Sequence, residues 1–378
     1  MTPAEGAGRG PGWIGDPEAD AVIEDLFASG QVVSASALLQ SLVRNTTPPS
    51  GEAPESLRNY LTSQRNLPEW AEPARVTAGE LMFSKYGMQI GLALYCSALG
   101  EGYLHWRFAH ILHLTARLET NTSRRVVETL QLILDVMAPG GLGPGGAGIA
   151  TALRVRLMHA AIRYLITERA KIDPSVWDPS WGVPISQEDL VTTLMSFSVL
   201  MIDDLAMLGI KLSEEEQESY LHAWLVAGHF MGIEREFLPQ SVAEGRELFQ
   251  AARKAYYRPT PQGLELERAL IETLGGMAPE PMHGLPVQYI RFFIGDTYAG
   301  MLQLPEVPGW RRRLFGKYVR MHRRLAWLAG ESGFADSIVP FSRALLVSFS
   351  EHARGGQRPA FAIPESLREA LSAPGSAN

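Results

Sequence analysis

Apolar positions recur along this chain at three- and four-residue spacing, the period of a helix with one face buried. Between Thr122 and Met137, the residues Val126, Leu130, Ile133, Leu134 and Met137 form one stripe. Arg125, Glu128 and Thr129 share another side of the same predicted helix. A glycine-rich break, Pro139–Gly148, follows. Beyond it, residues 151–170 are apolar nearly all round, through Leu157, Met158, Ala160, Ala161, Ile162, Leu165 and Ile166. A helix with that pattern is buried.

Start and stop signals extend the helical set. Asp16 before Pro17 predicts a cap and first turn for a helix reaching Ala28. Further helices are expected over 34–44, 55–64, 76–84, 89–99, 102–118, 190–207, 213–228, 241–257, 263–277, 286–302, 309–330 and 337–354. Ser186 with Asp189, and Ser213 with Glu216, have capping-box spacing. There is no sustained period-two alternation, no Asn-Gly or Asp-Gly hairpin signal and no repeat at fixed period. The expectation is an all-α chain, a single helical domain over 18–370, after a disordered Gly/Pro-rich tail at 1–17.

Composition narrows the function classes. The 378 residues are 46% hydrophobic and 20% charged, enough for a large core in an ordinary globular protein. A net charge of −7 argues against a phosphate-backbone binder, so no nucleic-acid partner is expected. Cys96 is the single cysteine. That excludes an intramolecular disulfide, a Cys-x-x-Cys redox pair and covalent haem attachment. No run of 18 apolar residues and no apolar leader is visible, so a soluble, cytoplasmic protein without an integral membrane segment is expected. The glycine-rich break has no following Lys-Ser/Thr and no preceding strand, so it reads as a flexible connection rather than a phosphate loop. Gly-x-Ser-x-Gly and His-Glu-x-x-His are absent.

The anomaly is Arg156, His159 and Arg163 inside the all-apolar helix. A buried charge is costly unless paired. Two arginines also disfavour imidazolium and leave the neutral ring that binds metals. Two readings fit: a core histidine with arginines reaching solvent at either end, or an iron ligand beside arginines that hold haem propionates. Arg125, Glu128 and Thr129 are either a solvated face or part of the same site. His105, His110 and His113 are either pocket or surface histidines, or ligands of a non-haem metal. A carboxylate-bridged di-iron bundle would need Glu-x-x-His pairs on two helices, and none is placed to supply them. The basic stretch at 311–324 reads as a solvated helix face, with an anionic lipid surface as the other reading.

Taken in order, several blocks resemble one family. They are Leu67-Pro-Glu-Trp-Ala-Glu-Pro-Ala-Arg with Gly79 and Phe83; Leu112-His-Leu-Thr-Ala-Arg-Leu; Arg124-Arg-Val-Val-Glu-Thr; Val155-Arg-Leu-Met-His-Ala-Ala-Ile-Arg; Val183-Pro-Ile-Ser-Gln-Glu-Asp-Leu; and Tyr289-Ile-Arg-Phe-Phe-Ile-Gly-Asp before Leu304-Pro. Over residues 66–305 they resemble the latex-clearing-protein and MpaB-type oxygenases. That resemblance implies a helical, globin-like core holding haem b, with His159 as the proximal iron ligand and Arg125 and Thr129 beside the haem. Glu128 stands where rubber-cleaving members carry a lysine. Ala109 or His110 stands where they carry a carboxylate base. The resemblance therefore implies an O2-dependent oxygenase that cleaves or hydroxylates a small apolar isoprenoid or aromatic molecule. Glu128 would accept a proton, Arg125 would hold Glu128 or a propionate, and Arg156 and Arg163 would help bind the cofactor. An electron donor is a further expected partner. The alternatives are a haem or gas sensor without turnover, and a non-haem oxygenase using His105, His110 and His113.

Overall fold

The computed structural model describes residues 10–31, 45–46, 54–116, 122–277 and 283–332; at 116 and 277, over 122–128 and over parts of 318–332 it describes the backbone alone. The helices are α1 (Pro17–Ala28), α2 (Glu55–Ser63), α3 (Pro73–Ala93), α4 (Leu99–Gly102), α5 (Trp106–Ala116), α6 (Thr122–Met137), α7 (Gly148–Ile172), α8 (Gln187–Phe197), α9 (Val199–Met207), α10 (Glu214–Phe230), α11 (Val242–Tyr256), α12 (Pro261–Met277), α13 (Leu285–Met301) and α14 (Gly309–Ser332). The fold is all-α. Among the described residues there is no strand, and an isolated bridge joins His105 to Tyr257.

Local chemistry explains where several helices begin. The Asp16 carboxylate accepts from the Ala19 amide at 3.3 Å and opens α1. Ser186 with Asp189, and Ser213 with Glu216, close reciprocal capping boxes at α8 and α10. The two segments expected at 76–84 and 89–99 are one helix, kinked at Tyr86 (φ −115°, ψ 15°) and continued by a π-helical turn, Leu94–Ala98. The helix expected over 190–207 is two. Ser198 leaves helical geometry (φ −113°, ψ −82°), and its hydroxyl donates to the Leu194 carbonyl at 2.8 Å. The segment expected from 102 starts only at Trp106. The helices expected at 34–44 and 337–354 lie outside the described residues.

Two expectations about order are corrected. Residues 10–17 are not a disordered tail, because Pro11–Trp13 form a 3-10 turn whose neighbours pair with the loop before α8. The Val183 amide donates to the Gly12 carbonyl and the Gln187 amide to the Ile14 carbonyl. The glycine-rich break is not a loose connection. Glu80, buried on α3, accepts from the Gly140 amide at 2.7 Å and the Leu142 amide at 3.4 Å, and Asn45 donates to the Gly141 carbonyl at 3.0 Å. Many glycines leave many backbone amides free to be gathered by one carboxylate.

The buried apolar side chains form one continuous cluster, with Trp224, Tyr220 and Phe230 wholly enclosed. α3 and α10 cross closely because Gly79 has no side chain; a Cβ there would stand 2.5 Å from the Ser219 carbonyl oxygen. α1 and α6 both pack on α7, which is thereby held on two sides. The stretch Gln187–Met207 has the length and hydropathy of a membrane span, but 67% of its most apolar window is buried in the protein and Ser198 breaks it. It serves here as core.

Candidate functional site

A cavity of about 260 Å³ opens between α5, α6, α7, α8 and the neighbouring segments of α11 and α12. Leu99, Phe108, Leu132, Met158, Leu190 and Phe197 make most of its wall apolar. Two of the expected site residues meet there. Thr129 comes from α6 and His159 from the middle of α7. His159 is shielded from bulk water, and what exposure it has faces this cavity. Burial, then the positive charge of Arg163, push its pKa down to about 4, so the ring is neutral. Its Nδ1 is buried and has no hydrogen-bond partner. An orphaned polar atom at this depth costs free energy unless a bound group pairs with it.

The two arginines flanking His159 are placed differently from expectation. Arg156 is buried and bidentate to Asp16, with Nε–Oδ2 at 2.6 Å and Nη2–Oδ1 at 2.8 Å, and it also reaches Glu18 at 3.0 Å. Gly232 (φ +90°) makes room for this pair; a Cβ there would fall 2.2 Å from Asp16 Oδ2. Arg163 pairs with Asp20 and donates to the carbonyls of Pro184 at 3.1 Å and Ile185 at 2.9 Å. Both guanidinium groups are consumed by α1 and the loop before α8, so the assignment of Arg156 and Arg163 to a cofactor is corrected. Their carboxylate partners lie some 140 residues earlier in the chain, at a distance no local pattern reveals. The side chains of Arg125 and Glu128 lie outside the described residues.

The three histidines proposed for a non-haem metal also diverge. His105 Nδ1 accepts from the Phe108 amide at 3.3 Å, and its ring stacks on Tyr256. His110 Nε2 meets the Val176 carbonyl at 2.9 Å among Trp177 and Trp181. His113 Nδ1 stands 3.4 Å from Glu265. Among the described residues no three metal-ligating side chains come together. The metal reading of His105, His110 and His113 is therefore corrected: each has its own protein neighbour.

The family model for the catalytic domain of ER-bound oxygenase mpaB/B'/rubber oxygenase matches residues 85–330, well over half the chain and every segment that lines the cavity. The chain belongs to this oxygenase family. It is 27% identical over 312 residues to a rubber oxygenase of Streptomyces sp., a match covering 80% of this chain and 74% of that protein. A solved structure of latex clearing protein in the closed state superposes with a TM-score of 0.74 at 24% identity, covering 95% of this chain and 96% of that one. The likeness to that structure establishes a shared helical fold.

Within this oxygenase domain, one buried polar group had no signal in the sequence. Tyr257 lines the cavity, and its hydroxyl donates to Glu101 Oε1 at 3.2 Å. Glu101 is in turn held bidentate by Arg253, through Nη2, at 2.8 and 2.6 Å. Burial raises the Glu101 pKa, and the Arg253 charge opposes that rise. Arg253 and Tyr257 stand one helical turn apart at the end of α11, but Glu101 lies 152 and 156 positions away from them, so spacing could not have joined it to them.

Proposed function

We propose that this chain is a haem-dependent oxygenase acting on a small apolar molecule and dioxygen, with His159 as the iron ligand. The observation that carries the proposal is the neutral, buried imidazole of His159, its Nδ1 without a partner, in the wall of an apolar cavity. Only neutral imidazole has a lone pair free for a metal, so the residue present fits haem b. Bound there, haem would supply the binding and activation of dioxygen.

The chain's own residues supply the rest. The apolar wall holds a hydrocarbon skeleton and keeps bulk water out of the cavity. Thr129 places a hydroxyl in the same wall. By its position on α6, Glu128 is assigned the removal of a substrate proton, and Arg125, four residues before Thr129, is assigned to a propionate or to Glu128. Cleavage of a C=C bond that takes up both atoms of dioxygen needs no outside electrons. Hydroxylation with release of water needs two, and with them a donor protein or reductant.

The test is spectroscopic. The purified chain, loaded with haem, is expected to show an intense Soret band that is lost in His159→Ala and restored when free imidazole is added to His159→Gly. A Soret band unchanged in His159→Ala would overturn the assignment. Oxygen uptake with a panel of isoprenoid and phenolic compounds then separates an enzyme from a carrier.

A further inference from the structure

His105 occupies the N-cap position of α5. Its backbone carbonyl accepts the first helical bond, from the Ala109 amide at 2.9 Å, and its ring Nδ1 accepts the Phe108 amide at 3.3 Å. A ring nitrogen that accepts carries no proton, so in neutral His105 the proton is on Nε2. The ring is neutral for two physical reasons. Burial pushes its pKa down to about 4, and the positive end of the α5 dipole opposes a second proton. Nε2 has no protein acceptor among the described residues, although the residue as a whole is buried and lines the cavity. Stacking on Tyr256, with ring centroids 4.8 Å apart, and edge contact with Tyr257 fix the plane of the ring.

Several other polar groups of the wall are already engaged. The Tyr257 hydroxyl donates to Glu101, Thr193 to the Asp189 carbonyl at 2.8 Å, and Ser196 to the Thr193 carbonyl at 2.7 Å. Asp189 is held by Arg107 and Ser186. His105 thus presents an uncommitted N–H donor to a cavity whose wall is mostly hydrocarbon. A pure hydrocarbon ligand would leave that donor desolvated and unpaired, which is unfavourable. An oxygen atom on the ligand would satisfy it.

We infer that His105 is a specificity-determining hydrogen-bond donor of this site, and that the substrate is an apolar molecule carrying a carbonyl or ether-type oxygen that Nε2–H binds, rather than an unfunctionalised hydrocarbon. The inference rests on the reading of this cavity as the oxygenase site. A neutral imidazole at a helix N-terminus polarises a bound carbonyl without transferring a full charge, so the same contact also orients the ligand and activates positions next to its oxygen.

Two isosteric probes test this on the full-length, haem-loaded chain: benzophenone, which has the acceptor, and diphenylmethane, which lacks it. The wild type is expected to bind benzophenone about tenfold more tightly, the size of one well-made hydrogen bond. Its carbonyl stretch should move to lower frequency when bound. In His105→Phe the preference and the frequency shift should both disappear, with diphenylmethane affinity retained. His105→Ser, which still caps α5, should lose them too and serves as the folded control. Equal affinity for both probes in the wild type, a ketone preference that survives in His105→Phe, or failure of both probes to bind would each overturn the inference. The haem assignment fails separately, through the Soret band of His159→Ala.

Discussion

His105 and His159 meet one cavity from two different elements. Burial keeps both neutral, with pKa values near 4. They differ in what has been done with Nδ1. At the start of α5 the helix itself fills it, so His105 has one edge spoken for and one N–H to offer. In the middle of α7 every backbone amide is already bonded within the helix, so nothing local can fill it, and His159 keeps an orphaned nitrogen. Burial chooses the protonation state, and position along a helix decides whether Nδ1 is filled by a backbone amide or left without a partner.

The largest expected effect separates these tasks. His159→Ala should abolish haem binding, whereas His105→Ser should retain haem and lose only the ketone preference; haem loss in both variants would break the distinction. Next comes the far side of α7. Asp16→Ala leaves the buried Arg156 guanidinium without its bidentate partner, and stability to denaturant should fall by about 3–5 kcal/mol. A loss below about 1 kcal/mol, the range of an exposed pair, would show that the ion pair does not hold the helix in place.

Protonation gives the third test. Both histidines sit near pKa 4 when folded, against 6.5 ordinarily. Between those values the unfolded chain holds protons that the folded chain refuses. Stability of the haem-free chain should therefore be complete above pH 6.5 and fall as the pH drops toward 4, by up to about 3 kcal/mol for each ring. His222 and His229, also lowered by burial, add to the same slope. His105→Phe and His159→Leu should each flatten the slope, and an unchanged slope in either would mean that ring is not held neutral by the fold. The smallest effect is the cap. His105→Ala should destabilise by about 1 kcal/mol, most of it recovered in His105→Ser.

The sequence made visible what depends on neighbours within a turn or two. The Ser186 and Ser213 capping boxes, the Asp16–Pro17 start and the buried α7 were all legible, because the pattern and the physics share one range. The family blocks drew attention to His159 and Thr129, and the structure puts both on one wall. What spacing hid was long-range pairing. Arg156 and Arg163 looked like unpaired buried charges that needed a ligand, because Asp16, Glu18 and Asp20 are out of reach of any periodicity. Ser198 was hidden by apolar residues on both sides, which keep the helical period running across a broken backbone. His105 was open to two readings, pocket histidine or metal ligand; it lines the pocket, and its cap geometry stayed hidden because that is a property of where α5 begins.

The Asp16–Arg156 pair also has a history in time. Its partners are 140 residues apart, so at about 5–20 residues per second Asp16 is made some seconds to half a minute before Arg156 exists. During that interval α1 has no α7 to rest on, and its acidic turn stays in water. The helix that carries His159 is consequently locked down late, by a stretch of chain made well before it. Closing so long a loop slows folding more than it weakens the final state, because its entropic cost grows only with the logarithm of its length.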